Sequence, residues 1–511
     1  MKKLFYSLIL LSAISFSSCS SKKSNPVVDG PTKTGTTLDL IKDSVYLYEK
    51  EEYLWYASVP NYATVNPRAV TDPSDANALQ KLVDKMSQYA INPATNKPYE
   101  YYSPDPGEAK YSFIDDGTVS GELNGVNGDY GFRPEYNDVN DLRISYVYPG
   151  SPADQKGIKR GYQITSINGS TSISYDGSSV GGSGNNLNFV NDAIFNSNTV
   201  SMTLLKPDNT TLTVTNLAVA NYNVNPVLTY KTFDQGNGHI VGYVVFNTFT
   251  SDANADGPLN TAFDYFTAQG VTDLVVDLRY NGGGYVSTAE YIDNLIVPAA
   301  KTGTVMYNTY YNDKLQADNH PLLSTIYNIP AGTFKPENNV VNFAKKGALN
   351  VNRVFFIITG STASASELTI NNLRPVMDVQ FIGSTSYGKP VGFFALNINK
   401  YQYYTPEFYT LNSANQGGYY GGFTPNTTGY PGVQDYDDPT KDFGDPTEGL
   451  LAHALNFVKT GTYAVRGPVI QSIGRQSTFS IQAQNAASLR FTKDKFNGMI
   501  GSKKLPLKTK R

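Results

Sequence analysis

The residues able to do chemistry gather at three strand ends. The apolar run 353–359, RVFFIIT, reads as a buried strand and leads into GSTASASELTINNL, where a helix is expected over 366–373. A serine in that turn stands at a helix N-terminus, where the dipole and unpaired N–H groups favour a developing oxyanion. Ser364 is the candidate nucleophile. The same residues, 364–367, also spell S-x-x-E, a capping box, and on local sequence alone the cap is the simpler account. Lys389 tips the balance. It lies 25 residues downstream in STSYGKP, just after a further expected strand at 379–383. Adjacent strands of βαβ units set their carboxyl-end loops side by side, so Ser364 and Lys389 are expected to meet at one sheet edge. The third strand end, DLRYNGGG at 277–284, offers glycines that permit close approach and positive φ, which suits an oxyanion hole. A plain flexible turn is the bland alternative there.

A lysine must be neutral to accept a proton. Its free pKa is about 10.4, so the base needs burial beside apolar groups, for which Tyr387 and Phe393 are candidates. Other chemistries fit poorly. The three histidines, His239, His320 and His453, lie in no motif, and there is no G-x-S-x-G for a Ser-His-Asp triad. H-E-x-x-H and Cys/His clusters are missing too, so neither a metal nor a cofactor is expected.

These residues need a scaffold, and 511 residues suffice for two or three domains. The charged fraction of 17% with 38 Tyr and 44 Gly points to strand-rich and loop-rich structure rather than helical bundles. A net charge of −3 gives no reason to expect nucleic acid as a partner. Helical spacing at Leu38, Ile41, Val45 and Tyr48, and at Leu79, Leu82, Val83 and Met86, predicts a helical segment over 38–112. Residues 113–222 read as a β-rich module. From 223 to 465, strands expected at 241–246, 273–278, 354–359 and 379–383 alternate with helices at 259–269, 288–295 and 366–373. Residues 299–350 break that alternation and read as a lid or rim insertion. Residues 466–511 hold ten Lys or Arg against one acid, Asp494, and read as a basic appendage.

The start, MKKLFYSLILLSAISFSSCS, has a basic n-region and an apolar stretch too short for a stable span, so 1–18 reads as a signal peptide. Its end resembles a bacterial lipobox with Cys19, the one cysteine, as the lipidated residue, although Phe16 stands at the usual Leu position. Residues 19–37 would be the tether. The resemblance implies a cell-envelope lipoprotein, held to the membrane through its anchor only and facing the periplasm; a cleaved secretory signal with an incidental cysteine is the alternative.

In 142–172, a strand, a Pro-Gly turn, a short helix near Ser151-Pro152, a strand at 163–167 and Asn168-Gly169 follow in order. That order resembles the circularly permuted PDZ domain of bacterial proteases, with Tyr162 where the family usually has Asp. TASASE at 362–367, GK at 388–389, DLRYNGGG and this module together resemble the C-terminal processing (tail-specific) peptidases. The resemblance implies a multidomain α/β (α+β) fold: helical N-terminal segment, PDZ-like module, and peptidase core with a mixed sheet. It implies a serine endopeptidase acting near the C-termini of exported proteins, with unfolded or C-terminal protein segments as substrates. It places the nucleophile on Ser364, not Ser361 or Ser366, and the base on Lys389. The oxyanion donors would be the Ala365 N–H and an N–H among Gly282, Gly283 and Gly284. Arg279 and Glu367 fall where residues influence activity in some members. The PDZ domain would capture a substrate tail, with a carboxylate nest at Tyr130, Gly131 and Phe132. Two departures stand out: Phe393 replaces a Gln that orients the lysine in many members, and Pro375 replaces an Asp found in others, Asp378 being the nearest acid. They motivate a rival reading, a catalytically inactive PDZ-containing scaffold lipoprotein. The Tyr-rich stretch 400–430 suggests another, a glycan- or peptide-binding envelope protein, beside ordinary hairpin packing.

Overall fold

The computed structural model describes residues 30–464 and 498–501. Cys19, the segment read as a signal peptide, and most of the segments read as tether and basic appendage lie outside the described residues. The core is a six-stranded mixed sheet in the order Val227–Gly236, His239–Phe246, Asp273–Asp277, Arg353–Ile358, Asp378–Gly383, Gly432–Gln434. The first pair is antiparallel and each later pair is parallel. All of Asp273–Asp277 is buried, as a strand covered on both faces must be.

Alternation along the strands sorts their side chains between two layers. Val244, Leu274, Val276, Val354, Phe356 and Phe381 pack with the helices Asp252–Ala268, Val286–Ile296 and Ala365–Leu373. Val241, Tyr243, Val275, Phe355, Ile357 and Ile382 pack with Leu450, Leu451 and Leu455 of the helix Gly449–Thr460. The N-terminal helices Thr37–Glu52 and Asp75–Ser87 join the first layer through Ile41, Val45 and Tyr48, and through Leu79, Leu82, Val83 and Met86. No helix among the described residues is long and apolar enough to cross a membrane.

A separate antiparallel sheet of five strands runs Phe132–Asp138, Asp141–Val147, Gln163–Ile167, Thr199–Leu205, Thr211–Ala218 around its own core. The helix Asn185–Phe195 packs on it through Leu187, Val190 and Ile194. That helix is absent from the sequence reading, because its apolar spacing is short and flanked by Gly, Ser and Asn. Two boundaries also differ from expectation. Phe113–Asp115 pairs with Tyr401–Tyr404, so it belongs beside the core and not to the 113–222 module. Within 299–350, Val305–Tyr311 pairs with both Val340–Asn342 and Phe408–Asn412 in a second core sheet. The inserted segment is sewn into that sheet by backbone hydrogen bonds rather than lying over a rim.

Candidate active site

Ser364 closes the turn between Arg353–Ile358 and the helix Ala365–Leu373, with φ 57° and ψ −105°. Such a conformation costs a non-glycine residue on the order of 1–3 kcal/mol and persists only where its surroundings enforce it. The surroundings are the neighbouring strand end. Ala363 N–H and Ser366 Oγ both donate to Asn281 O at 3.0 Å, and Thr362 Oγ donates to Leu278 O at 2.8 Å. Asn281 is the organiser that sequence reasoning missed: its side chain also donates to Phe246 O at 2.8 Å and accepts the Gly283 N–H at 2.9 Å. Ser364 itself is fully buried and its Oγ makes no hydrogen bond among the described residues.

Only half of the capping box forms as hydrogen bonds. Glu367 Oε2 accepts the Ser364 N–H at 2.9 Å, whereas Ser364 Oγ faces the Glu367 N–H in the capping arrangement without closing a hydrogen bond. The hydroxyl is left for another task. Glu367, wholly buried, takes three more donors from the lysine-bearing loop: Ser386 Oγ at 2.6 Å, Gly388 N–H at 2.8 Å and Lys389 N–H at 2.8 Å. Burial raises the Glu367 pKa while these donors pull against it.

Lys389 is 1% exposed. Its Nζ donates to Tyr111 O at 3.4 Å and lies 4.1 Å from the centre of the Phe393 ring. Loss of hydration holds its pKa well below the usual lysine value; Lys110 pushes the same way, and Glu100, Glu367 and Glu407 oppose. Phe393, at the departure from the family pattern, therefore forms one wall of the lysine chamber. Another wall comes from the N-terminal segment, which carries no motif. Lys110 Nζ donates to Tyr387 O at 2.9 Å and Tyr111 OH to Gly388 O at 2.7 Å. Gly388 has φ +81°, and a Cβ there would lie 2.3 Å from Tyr420 O, so the residue before the lysine has to be glycine.

The two loops thus meet as their spacing predicts, although Ser364 Oγ and Lys389 Nζ are not hydrogen-bonded to each other. Of the proposed oxyanion donors, Ala365 N–H opens its helix without a hydrogen-bond partner among the described residues. Gly283 N–H is committed to Asn281 and Gly284 is paired in a parallel ladder opposite Met499, which leaves Gly282 of the three glycines. Gly283 needs its missing side chain: φ is +107°, and a Cβ would lie 3.0 Å from Ala365 N.

Other expected site residues lie elsewhere. Arg279 is buried and its guanidinium is saturated by Asp277 at 2.7 Å, Glu448 at 2.9 Å and Asp437 at 2.5 Å. Asp437 also binds Arg160 of the five-stranded module at 2.8 Å, and Tyr280 OH donates to Glu135 of that module at 3.0 Å. Arg279 is therefore a link between module and core. The carboxylate nest at Tyr130, Gly131 and Phe132 is corrected. Gly131 N–H already donates to Asp129 Oδ1 at 2.7 Å, so the turn meets a ligand with its own carboxylate rather than a free N–H. Tyr130 is buried, with its hydroxyl on Ser197 O at 2.7 Å. A cavity of about 250 Å³ lined by Lys110, Tyr280, Ser361, Tyr387 and Asp437 lies between these regions and does not include Ser364. None of the histidines reaches the serine: His453 bonds Asp435 at 2.9 Å and Tyr463 O, and His320 bonds Ser324.

A buried serine on a strand-to-helix turn thus stands next to a lysine loop at the end of a mixed sheet. Residues 240–426 match Peptidase family S41 and contain both Ser364 and Lys389. The chain is 26% identical over 274 residues to a carboxyl-terminal-processing protease of a Picosynechococcus species, covering 53% of this chain and 56% of that one. It is 26% identical over 310 residues to the carboxy-terminal processing protease CtpA of Bacillus subtilis, covering 60% and 55%. The chain thus spans about half the length of the curated relatives it matches. A crystal structure assigned to an S41 protease of Bacteroides fragilis shares its fold, with TM-score 0.53 and 24% identity over 82% of this chain and 97% of that one.

Proposed function

We propose that this chain is a serine endopeptidase of the cell envelope, cutting exported proteins near their C-termini with Ser364 as nucleophile and Lys389 as general base. One observation carries the reading: Glu367 binds the backbone of both residues, setting a strained serine at a helix N-terminus beside a desolvated lysine. A neutral Lys389 takes the proton as Ser364 Oγ attacks the scissile carbonyl. Ala365 N–H and one glycine N–H stabilise the oxyanion. Protonated Lys389 then gives its proton to the leaving amine, and a water activated by the regenerated base releases the acyl group. Chain reorientation on substrate binding has to bring Oγ and Nζ together, since they are not bonded to each other here. The names of the relatives in Picosynechococcus and Bacillus support C-terminal processing as the task.

The PDZ-like module of 132–218 is proposed to recruit unfolded protein tails by strand addition at a sheet edge. Cys19 is proposed to carry the lipid that holds the chain to the membrane. Cys19→Ser should then fractionate as soluble protein; retention in the membrane fraction would point to a different anchor.

The rival reading, an inactive scaffold, draws on the missing Oγ–Nζ hydrogen bond and on Phe393. Labelling with a fluorophosphonate probe separates the two. The peptidase reading expects labelling that disappears in both Ser364→Ala and Lys389→Ala. Labelling of neither the wild type nor any variant favours the scaffold.

A further inference from the structure

The basic appendage contributes one described segment, and it lies against the candidate active site. Gly498–Ile500 runs parallel to Gly283–Tyr285 with Gly498 opposite Gly283, Met499 opposite Gly284 and Ile500 opposite Tyr285. Gly498 N–H donates to Gly282 O at 3.0 Å. Along its other edge, Met499 O accepts the Phe393 N–H at 3.0 Å and Gly501 N–H donates to Phe393 O at 2.9 Å. The segment is therefore zipped between the glycine turn and the strand beyond Lys389. A Cβ placed on Gly283 would lie 2.2 Å from Gly498 O and 3.0 Å from Ala365 N, so that carbonyl stands on the side of the free helix N–H next to Ser364. Met499 is fully buried, and Ile500 packs with Leu123, Phe393 and Tyr404.

We propose that this groove is where the peptidase takes its substrate, and that Gly498–Ile500 is a resident peptide which external substrates must displace. The inference rests on the peptidase reading above. Backbone edges on both sides fit any extended chain, so affinity comes from strand addition. Selectivity comes from two successive buried positions, filled here by Met499 and Ile500. Burying a polar side chain at either position is costly, so the groove takes a peptide with two adjacent large apolar residues.

The test uses a fluorescein-labelled peptide of residues 495–504, KFNGMIGSKK, and the full chain carrying Ser364→Ala to prevent turnover. Its anisotropy is compared with and without Met499→Asp/Ile500→Asp. Removing a resident ligand that fills the groove nine-tenths of the time lowers the apparent Kd about tenfold. The labelled peptide KFNGDDGSKK should not bind. In the Ser364-containing protein the same double change should lower KM for a short unstructured reporter about as much. Equal affinity in both proteins, with an unchanged thermal midpoint, overturns the proposal. Should the double variant fail to fold, Ile500→Ala replaces it: tighter binding supports displacement, and unchanged binding sinks it. Peptide binding without turnover in any Ser364-containing protein retires the peptidase reading and keeps the groove. Turnover without peptide binding does the reverse.

Discussion

Ser364 and Lys389 are joined through a single oxygen: Glu367 Oε2 accepts the Ser364 N–H at 2.9 Å and the Lys389 N–H at 2.8 Å. The loops that carry the proposed nucleophile and base are thereby locked at the backbone, while Ser364 Oγ and Lys389 Nζ are not bonded to one another. Position is set by Glu367, and reactivity is left to burial and to the arrival of substrate.

Glu367→Ala should accordingly lower both activity and stability. It leaves the N–H groups of Ser364, Gly388 and Lys389 unpaired in a buried site, at about 1–3 kcal/mol for each unsatisfied group. Glu367→Gln keeps one acceptor oxygen and should fall between the alanine variant and the wild type. Thermal midpoints and peptide turnover on the same samples check this. An alanine variant with wild-type kcat would show that the bridge does not position the dyad.

Module and core should be coupled through Arg160 and Asp437. Arg160 reaches Asp437 at 2.8 Å and Ser145 O at 2.6 Å, with both charged groups buried. Removing one partner of a buried pair costs about 3–5 kcal/mol, and Arg279 still holds Asp437, so Arg160→Met should fall near the lower figure. Chemical denaturation measures it. A loss within error of zero would mean the interface does not contribute to stability.

The same interface should give stability a pH dependence. Burial, and then the Asp437 charge, push Glu135 up to about 8. Its folded pKa lies above its unfolded one, so the native state favours the protonated acid. That contribution is full below the unfolded pKa of about 4.3 and is lost as pH rises through 8. Glu135→Gln cannot ionise. Its thermal midpoint relative to wild type should therefore climb between pH 5 and pH 9, and a constant difference across that range would count against the assignment.

Legibility in the sequence tracked how local each signal is. The buried strands at 273–277 and 353–358, and the helix after Ser364, announce themselves by apolar runs and turn residues, and all three form close to the expected bounds. Ser364 and Lys389 stand out in the sequence as candidates because each follows an expected strand, next to a helix start or a glycine. Tyr111, Lys110 and Asn281 were not. Their roles depend on backbone carbonyls and side chains contributed by distant segments, such as Tyr387 O and Phe246 O, and no spacing encodes that. The stretch Asp129-Tyr130-Gly131-Phe132 was misjudged at one donor for a related reason: the sequence does not show that the Asp129 carboxylate turns back on the Gly131 N–H.

Phe393→Gln should move the pH profile upward. The ring now lies 4.1 Å from Nζ and offers no acceptor oxygen, whereas an amide oxygen there would favour the charged lysine. The backbone bonds of residue 393 are unaffected by the change. Turnover at pH 7 should drop, and the pH at half-maximal rate should rise. An unchanged midpoint would mean the ring has no part in tuning the base.

The dyad itself makes the sharpest prediction. Ser364→Ala and Lys389→Ala should each abolish turnover with the fold intact, and the double variant should be no worse than either, because nucleophile and base act as one unit. Ser361→Ala and Ser366→Ala should retain activity. Ser366 Oγ only braces the turn through Asn281 O at 3.0 Å, and its loss should cost about 0.5–1.5 kcal/mol of stability. If Ser364 were merely a cap, its alanine variant would lose about 0.5–2 kcal/mol, and activity would decline only in step with unfolding. The pH profile adds a second axis. Burial holds the Lys389 pKa well below the usual lysine value, so the proton leaves at lower pH than in a free lysine. The rate should rise with pH through that depressed value and reach its plateau below about pH 10.4, where an unperturbed lysine would still be half protonated. Lys389→Arg, which keeps the charge but cannot give up its proton, should be as inactive as Lys389→Ala. A rate that shows no rise with pH anywhere below about pH 10.4, with chemistry shown to be limiting, would remove lysine as the base.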